Sequence, residues 1–173
     1  MGYYVRITDS GNFRINADQL DNAYKALIDL NKHDDLKRGG GGGEVWFSWM
    51  PADYSYLATT AEILEMVGFA FTQEKDGSLS EFEYDNKQGC EDVFLAALAP
   101  FIEDGCWMNW YGEDGEMWRY TFSGGVMRVH SSEVVYAEEG HPLIVNKYSH
   151  DDDGKFTVTP ITVADLIHGT EVK

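Results

Sequence analysis

Short extended stretches separated by turn residues recur along this chain, and amphipathic helical stretches interrupt them. The clearest case is 69–84, where Asp76-Gly77 divides two such stretches, a dipeptide typical of a type I′ hairpin turn. Three further strands with glycine-containing turns between them are predicted at 106–111, 116–122 and 126–130. Hairpins interrupted by helices indicate an α+β fold, an antiparallel sheet built from hairpins with about three helices packed on one face.

The N-terminal elements are predicted from alternation and from turn residues. Residues 3–8 and 13–15 are extended on either side of a turn signal, so we predict an N-terminal β-hairpin. Asn16 is then expected to cap a helix, with Gln19 at the capping-box position. Apolar residues at helical spacing continue this helix to about Asn31.

Two further helices are predicted from their end signals. Thr59 and Glu62 form a capping box, and Gly68 supplies the stop signal of that helix. A third, apolar helix is predicted over 90–102, where Pro100 should end or kink it because proline cannot donate the helical hydrogen bond.

Five consecutive glycines, Gly39 to Gly43, predict a flexible connector at 37–44, because glycine loses the most backbone entropy on ordering. Five identical residues in a row also suggest a replaced loop, which the mass of the native gene product would test.

We predict one domain over 1–137 and a C-terminal extension over 138–173, packed on it or appended to it. From residue 133 onward we expect strands at 134–136, 143–148 and 156–159, a turn at 150–155 and a short helix after Thr162.

Composition limits the class of protein. The 173 residues suffice for a buried core without disulfide support, and Cys90 and Cys106 are interpreted as reduced core thiols. No signal peptide or membrane span is recognised, so we expect a cytoplasmic protein.

Acidic residues outnumber basic ones by 30 to 13, for a formal net charge of -17. Such a surface should repel nucleic acid and attract cationic protein surfaces.

The sequence offers no familiar catalytic, metal or phosphate motif. Asp151, Asp152 and Asp153 lack the later bidentate Glu of a calcium loop, so they predict a solvated turn. The five histidines lack zinc-site spacing, and the glycines form no phosphate-binding loop. We therefore expect no cofactor, no metal, no catalytic residue and no direct nucleic-acid binding.

Aromatic residues form two clusters in the sequence, and each has two interpretations. Trp and Tyr are favoured interface anchors, so an exposed binding face is one interpretation and core packing is the other. The clusters comprise Trp46, Phe47, Trp49, Tyr54 and Tyr56, and Trp107, Trp110, Tyr111, Trp118 and Tyr120.

Three stretches carry a resemblance to known proteins: 2–9 (GYYVRITD), 46–50 (WFSWM) and 112–120 (GEDGEMWRY). They resemble small, mostly uncharacterised acidic proteins encoded by bacteriophages of actinobacteria. The resemblance covers roughly residues 1–130, and such relatives carry a longer loop where this chain has five glycines. It implies a phage accessory protein aimed at host machinery and acting in the host bacterial cytoplasm, and it supplies no catalytic residues.

Charge and resemblance together predict a non-enzymatic inhibitor of a host defence or nucleic-acid enzyme, of the DNA-mimic, anti-CRISPR or anti-restriction type. Its partner would be a host protein with a basic nucleic-acid-binding surface. An array of carboxylates could imitate the phosphates of a duplex and so occupy that surface. The predicted partner-binding residues are Trp49, Trp110, Glu113, Asp114, Glu116, Trp118, Glu138, Glu139, Asp151, Asp152 and Asp153.

Three alternatives remain open. A protein that sequesters a nucleotide immune signal would need cations for phosphate, and the candidates are Arg6, Arg14, Arg119 and Arg128. An acidic immunity protein would neutralise a basic nuclease toxin. An unrecognised enzyme is the last alternative. Sequence leaves the oligomeric state undefined.

Overall fold

The computed structural model describes residues 2–132, 144–150 and 156–162. The chain divides by its internal contacts into two units, Met1–Glu133 and Val134–Lys173.

The predicted α+β fold is confirmed, with antiparallel sheets and three α-helices in the described residues. The helices are α1 (Leu20–Leu30), α2 (Thr60–Val67) and α3 (Glu91–Leu98). The strands are β1 (Tyr4–Gly11), β2 (Arg14–Ile15), β3 (Gly39–Gly41), β4 (Glu44–Trp46), β5 (Ala70–Gln73), β6 (Leu79–Glu83), β7 (Asp85–Lys87), β8 (Trp107–Gly112), β9 (Met117–Ser123), β10 (Val126–Ser131), β11 (Ile144–His150) and β12 (Phe156–Thr162).

The largest sheet has five strands in the order β10-β9-β8-β1-β7, and each neighbouring pair is antiparallel. The strands predicted over 106–130 form its β8–β9–β10 part, as expected from their turns. Val5, Met108, Trp110 and Phe122 lie on its buried face. The buried residues of all three helices belong to the same hydrophobic core as this face.

The predicted N-terminal hairpin is wrong. β1 pairs with β7 and β8, whereas β2 pairs with β6 in a three-stranded sheet of order β2-β6-β5. Between them Asn12 adopts a positive φ of 51°, and the buried Phe13 packs edge-on against Phe82 and Phe122. The chain therefore crosses from one sheet to the other through the core instead of folding back on itself.

Of the two capping boxes predicted from the sequence, the structure confirms one. Thr59 Oγ1 accepts a hydrogen bond from the Glu62 amide at 3.1 Å, and Gly68 ends α2 with φ 113°, so that capping box is confirmed. Asn16 makes no cap hydrogen bond, and a 3-10 turn over Ala17–Gln19 precedes α1 instead. The Asn16 side chain accepts from Arg14 Nε and donates to Glu103, so these partners occupy it.

Two turn predictions are modified by the structure. β5 and β6 form the expected hairpin, but in its turn only Gly77 has a positive φ, 88°, and the Glu74 amide donates to the Ser78 carbonyl. This is a three-residue loop with a glycine bulge, not a type I′ turn. α3 gives way to a 3-10 turn over Ala99–Phe101 that contains Pro100, as the proline predicts.

The glycine run does not form an irregular connector. Gly39–Gly41 is β3, which pairs antiparallel with β4, and Gly42 and Gly43 form the turn with φ of 63° and 92°. The Trp46 ring lies against the glycine backbone, where a Cβ on Gly39 would meet it. A run without side chains is therefore ordered here by one cross-strand indole. Whether the run replaces a native loop stays a prediction.

In the C-terminal unit, β11 pairs antiparallel with β12, which confirms the two strands predicted there. The predicted strand at 134–136, the turn residues after His150 and the terminal helix lie outside the described residues. Cys90 and Cys106 are buried and free, as expected. No described helix has the length and apolar character that a membrane crossing requires.

Candidate binding face of the five-stranded sheet

One face of the five-stranded sheet points away from the core, and we call it the open face. Alternation places every second residue of each strand on it, and cross-strand partners define its rows. Thr121 lies between Trp107 and Arg128, and Arg119 lies between Asn109 and His130. The open face comprises Tyr4, Arg6, Asp9, Trp107, Asn109, Tyr111, Met117, Arg119, Thr121, Arg128 and His130.

Three of the five arginines of the chain lie on the open face, and all three are exposed. The other two form ion pairs, Arg14 with Asp76 at 2.6 Å and Arg38 with Asp92 at 2.7 Å. Within residues 2–132, no carboxylate lies within ion-pair distance of the three open-face arginines. In so acidic a protein this is an unusual concentration of cations without carboxylate partners.

Two of these arginines stack on aromatic rings. The Arg119 guanidinium carbon lies 4.4 Å from the Trp107 ring centroid, and its Nε donates to Asn109 Oδ1 at 2.7 Å. The Arg6 guanidinium carbon lies 5.2 Å from the Tyr111 ring centroid. Such cation–π contacts suit arginine, because a guanidinium is more weakly hydrated than an ammonium. Both guanidinium groups therefore lie beside an aromatic ring of β8.

The Trp107 indole has an identifiable support. It lies over the backbone of Gly11 in β1, where a Cβ would overlap the indole Nε1 and Cε2 atoms. Gly11 and Trp107 are cross-strand partners, so the ring extends along the sheet surface. The absence of a side chain at Gly11 is what permits this flat orientation.

A shallow depression of 540 Å³ occupies the β8–β9–β10 side of the open face. Asn109, Arg119, Thr121 and His130 line it, and Thr121 Oγ1 lies 2.9 Å from His130 Nε2. Guanidinium, amide, hydroxyl and imidazole groups are all able to donate to an anion. The lining of the depression therefore includes several groups of the kind that donate hydrogen bonds to phosphate or carboxylate oxygens.

Carboxylates border the opposite side of the open face. Asp85 lies directly across from Arg6, and Asp9 lies across from Asn109. The β9–β10 side thus carries Arg119 and Arg128, whereas on β1 and β7 the carboxylates Asp9 and Asp85 are interspersed with Arg6 and Lys87. An anionic group of a ligand is expected over β9, with neutral or donor groups toward β1.

The predicted acidic cluster lies at the β8–β9 turn, where Glu113, Asp114 and Glu116 are exposed. Asp114 Oδ1 accepts from the Tyr3 hydroxyl and, at 3.0 Å, from the Glu116 amide. These hydrogen bonds lower the pKa of Asp114, and the one from Tyr3 is the main cause that raises the pKa of Tyr3 to about 12. Asp114 therefore holds the turn in shape, whereas Glu113 and Glu116 face solvent.

The predicted tryptophan anchors do not form one surface. Trp110 is 1% exposed, so its assignment to partner binding is wrong; its parity on β8 matches Met108, which points into the core. Trp118 is half-buried and stacks on Trp110 at 6.1 Å between centroids. Trp49 is 48% exposed. The other predicted partner-binding residues, Glu138, Glu139, Asp151, Asp152 and Asp153, lie outside the described residues.

The structure places three of the four arginines predicted for a nucleotide site on one face of the sheet. Arg6, Arg119 and Arg128 share the open face, whereas Arg14 lies on β2 in the other sheet and pairs with Asp76. Sequence reasoning did not place Trp107 and Tyr111 beside these arginines. Their common parity on β8 was readable from the strand, but the β1–β8 pairing that brings Arg6 to Tyr111 was not.

Comparison with protein-family models, with curated proteins and with solved structures finds no match to this chain. Among the residues that the structure describes, no group of His, Cys, Asp or Glu side chains is arranged to hold a metal ion. The open face is the candidate site that the geometry singles out.

Proposed function

We propose that this protein binds a nucleotide on the open face and sequesters it without converting it. The observation that supports this is that Arg6, Arg119 and Arg128 share the open face, where Arg6 lies over Tyr111 and Arg119 over Trp107. Of the functions considered from sequence, nucleotide sequestration requires this combination of planar and cationic groups. It therefore takes precedence over the acidic inhibitor.

The chemistry of a nucleotide matches the layout of the open face. Bases stack on aromatic rings and on guanidinium planes, and such contacts contribute about 1–3 kcal/mol per base. Phosphate oxygens accept from arginine in two parallel hydrogen bonds, a geometry that Lys does not offer. Arg119 retains its terminal nitrogens for this purpose, since only its Nε donates to Asn109.

The resemblance to bacteriophage accessory proteins supplies a context for this proposal. In the cytoplasm of an infected bacterium, a phage protein that holds a nucleotide immune signal would keep it from its effector. The amount of such a binder must match the amount of signal, because a sequestering protein acts once per bound molecule.

The test is isothermal titration of the purified protein with adenosine monophosphate, together with thermal unfolding at rising ligand concentration. We expect saturable binding and a melting temperature that rises with ligand, because the ligand binds the folded state. Arg119→Ala should weaken binding at least about tenfold, the effect of about 1.4 kcal/mol. Lys25→Ala removes one exposed positive charge from α1 and is the matched control. The absence of saturation by adenosine, guanosine, cytidine and uridine monophosphates would contradict the proposal.

An acidic inhibitor is the second candidate, supported by the exposed Glu113 and Glu116 and by the net charge of -17. Its partner would be a protein with a basic nucleic-acid-binding surface. A Glu113→Gln, Glu116→Gln double variant should lose affinity for such a partner, and the affinity of the parent should fall steeply with salt. Retained partner binding by the double variant would count against this candidate.

A further inference from the structure

The open face carries two arginine–aromatic pairs, not one. Arg119 stacks on Trp107, and Arg6 stacks on Tyr111. Trp107 and Tyr111 are both on β8 and share its outward parity, so the two pairs repeat along one strand. A ligand with a single base uses one pair and leaves the other in water.

We propose that the ligand of the open face is a dinucleotide, two bases joined by a phosphodiester, with one base on each arginine–aromatic pair. This inference rests on the proposed nucleotide-binding function and names the ligand class of the same face. It predicts a binding mode in which the two bases do not contact each other.

The spacing of the pairs supports the separated arrangement. Four residues along a strand span about 13 Å, which is the approximate distance from Trp107 to Tyr111 along β8. Neighbouring bases stacked on each other in a nucleic-acid strand rise only about 3.4 Å. Two bases can reach both pairs only if they are unstacked and turned apart, with the sugar–phosphate segment between them.

The residues between the two pairs fit that connecting segment. Asn109 lies midway on β8, beside Arg119, and both line the 540 Å³ depression. A phosphodiester above Asn109 would lie near the Arg119 guanidinium and on the cationic side of the face. His130 and Thr121, across the depression, could donate to its free oxygens or to ribose oxygens.

The carboxylates bordering the face fit the second base. Asp85 lies across from Arg6, beside the Tyr111 pair, so that a carboxylate acceptor is available next to this stacking position. A base presents amino and imino groups, and a carboxylate can accept hydrogen bonds from them. The Arg6–Tyr111 pair with Asp85 therefore suits a base, whereas the β9–β10 side suits the phosphodiester.

The experiment compares three adenine probes by titration calorimetry: adenosine monophosphate, the linear dinucleoside monophosphate ApA and cyclic di-AMP. ApA carries one negative charge, whereas the monophosphate carries close to two at neutral pH. Charge alone therefore predicts tighter monophosphate binding. We expect ApA to bind at least about tenfold tighter, because linking two binding groups makes the second contact intramolecular. Cyclic di-AMP distinguishes a ring-closed ligand from a linear one, since only one of the two should position both bases well.

Two variants separate the pairs. Arg6→Ala should remove the affinity advantage of the dinucleotide probes over the monophosphate, whereas Arg119→Ala should weaken all three probes. Lys25→Ala is again the charge control. Equal affinities for the mononucleotide and both dinucleotide probes, unaffected by Arg6→Ala, would overturn the dinucleotide inference while the nucleotide proposal stands. Failure of all three probes and of the other monophosphates would overturn both.

Discussion

At the scale of single residues, the open face depends on what is missing at Gly11. Its position in β1 does not require a positive φ; the requirement is space for the Trp107 indole. Strand parity places Trp107, Asn109 and Tyr111 on one face of β8, so this part of the candidate site is predictable from the sequence. The support beneath Trp107 could not, because it comes from a strand almost one hundred residues earlier.

Gly11→Ala should lift the Trp107 ring from β1 and lower the free energy of unfolding by about 1–3 kcal/mol, the usual cost of an overpacked methyl group. Chemical denaturation measures this change. In a Trp107→Ala background the added methyl has no indole to displace, so the cost should nearly vanish. An equal cost in both backgrounds would show that the methyl group acts on the backbone instead.

A second residue of interest is Glu91, a carboxylate that is 1% exposed at the start of α3. The Gly89 amide donates to its Oε2 at 2.7 Å. Burial raises the pKa of Glu91 above its usual range, Asp92 adds to the rise, and Arg38 opposes it. Ionised Glu91 is therefore less favourable in the folded protein than in the unfolded chain.

The raised pKa of Glu91 predicts how the stability of the folded protein depends on pH. Because the folded state holds the Glu91 proton more tightly, its contribution to stability is lost as pH rises from the ordinary Glu pKa through the raised one. Glu91→Gln keeps an acceptor for Gly89 and should melt at a higher temperature than the parent at pH 8. The difference should shrink at pH 4. Glu83→Gln, an exposed carboxylate on β6, is the control, and a lower melting temperature for Glu91→Gln at pH 8 would contradict the assignment.

At the scale of elements, three hairpins followed from local turn residues, whereas the pairings between strands distant in sequence did not. The β5–β6, β8–β9 and β9–β10 hairpins follow from the glycine-containing turns between their strands, because each turn brings together strands adjacent in sequence. The pairing of β1 with β8 and of β2 with β6 depends on core packing around residues such as Phe13. No local pattern encodes such contacts, so the predicted N-terminal hairpin was wrong.

The glycine run illustrates the same limit. Backbone entropy argues against order in glycine, and that argument holds for an isolated segment. Here the Trp46 ring covers β3, and the pairing with β4 supplies hydrogen bonds. Tertiary contact thus outweighs local preference.

The α2 cap gives the sharpest test at this scale. Thr59→Ala removes the acceptor of the Glu62 amide and should cost about 1 kcal/mol of unfolding free energy, the typical value for an N-cap. Thr59→Ser retains the oxygen and should stay near the parent. Urea denaturation distinguishes the two. A loss as large for Ser as for Ala would point to the threonine methyl group instead of the cap.

At the scale of the whole molecule, the described open face belongs entirely to the unit Met1–Glu133. This unit contains the five-stranded sheet, the three helices and the core they share. The acidic residues after 137 that were predicted to bind a partner belong to the other unit. Truncation after Glu133 therefore removes Glu138, Glu139, Asp151, Asp152 and Asp153 and leaves the residues of the open face in the chain.

A chain ending at Glu133 should unfold cooperatively by circular dichroism, because its core is internal to the unit. It should also keep the nucleotide affinity of the full chain within about threefold, a change of less than 1 kcal/mol. Cooperative unfolding with lost affinity would assign part of the site to residues beyond 133. A chain that fails to fold would show that the C-terminal unit is needed for stability.

The position of three arginines within a strongly acidic surface has a consequence for size selection. Screening in physiological salt limits exposed charges to a range of about 8 Å, so a small anion placed over β9 mainly experiences Arg119 and Arg128. A longer polyanion extends past this area toward Asp9, Asp85, Glu113 and Glu116, and these four carboxylates oppose its added phosphates while Arg6 and Lys87 offset only part of that repulsion. The molecule would then act as an electrostatic filter that admits short nucleotides and turns away the nucleic acids that surround them in a cell.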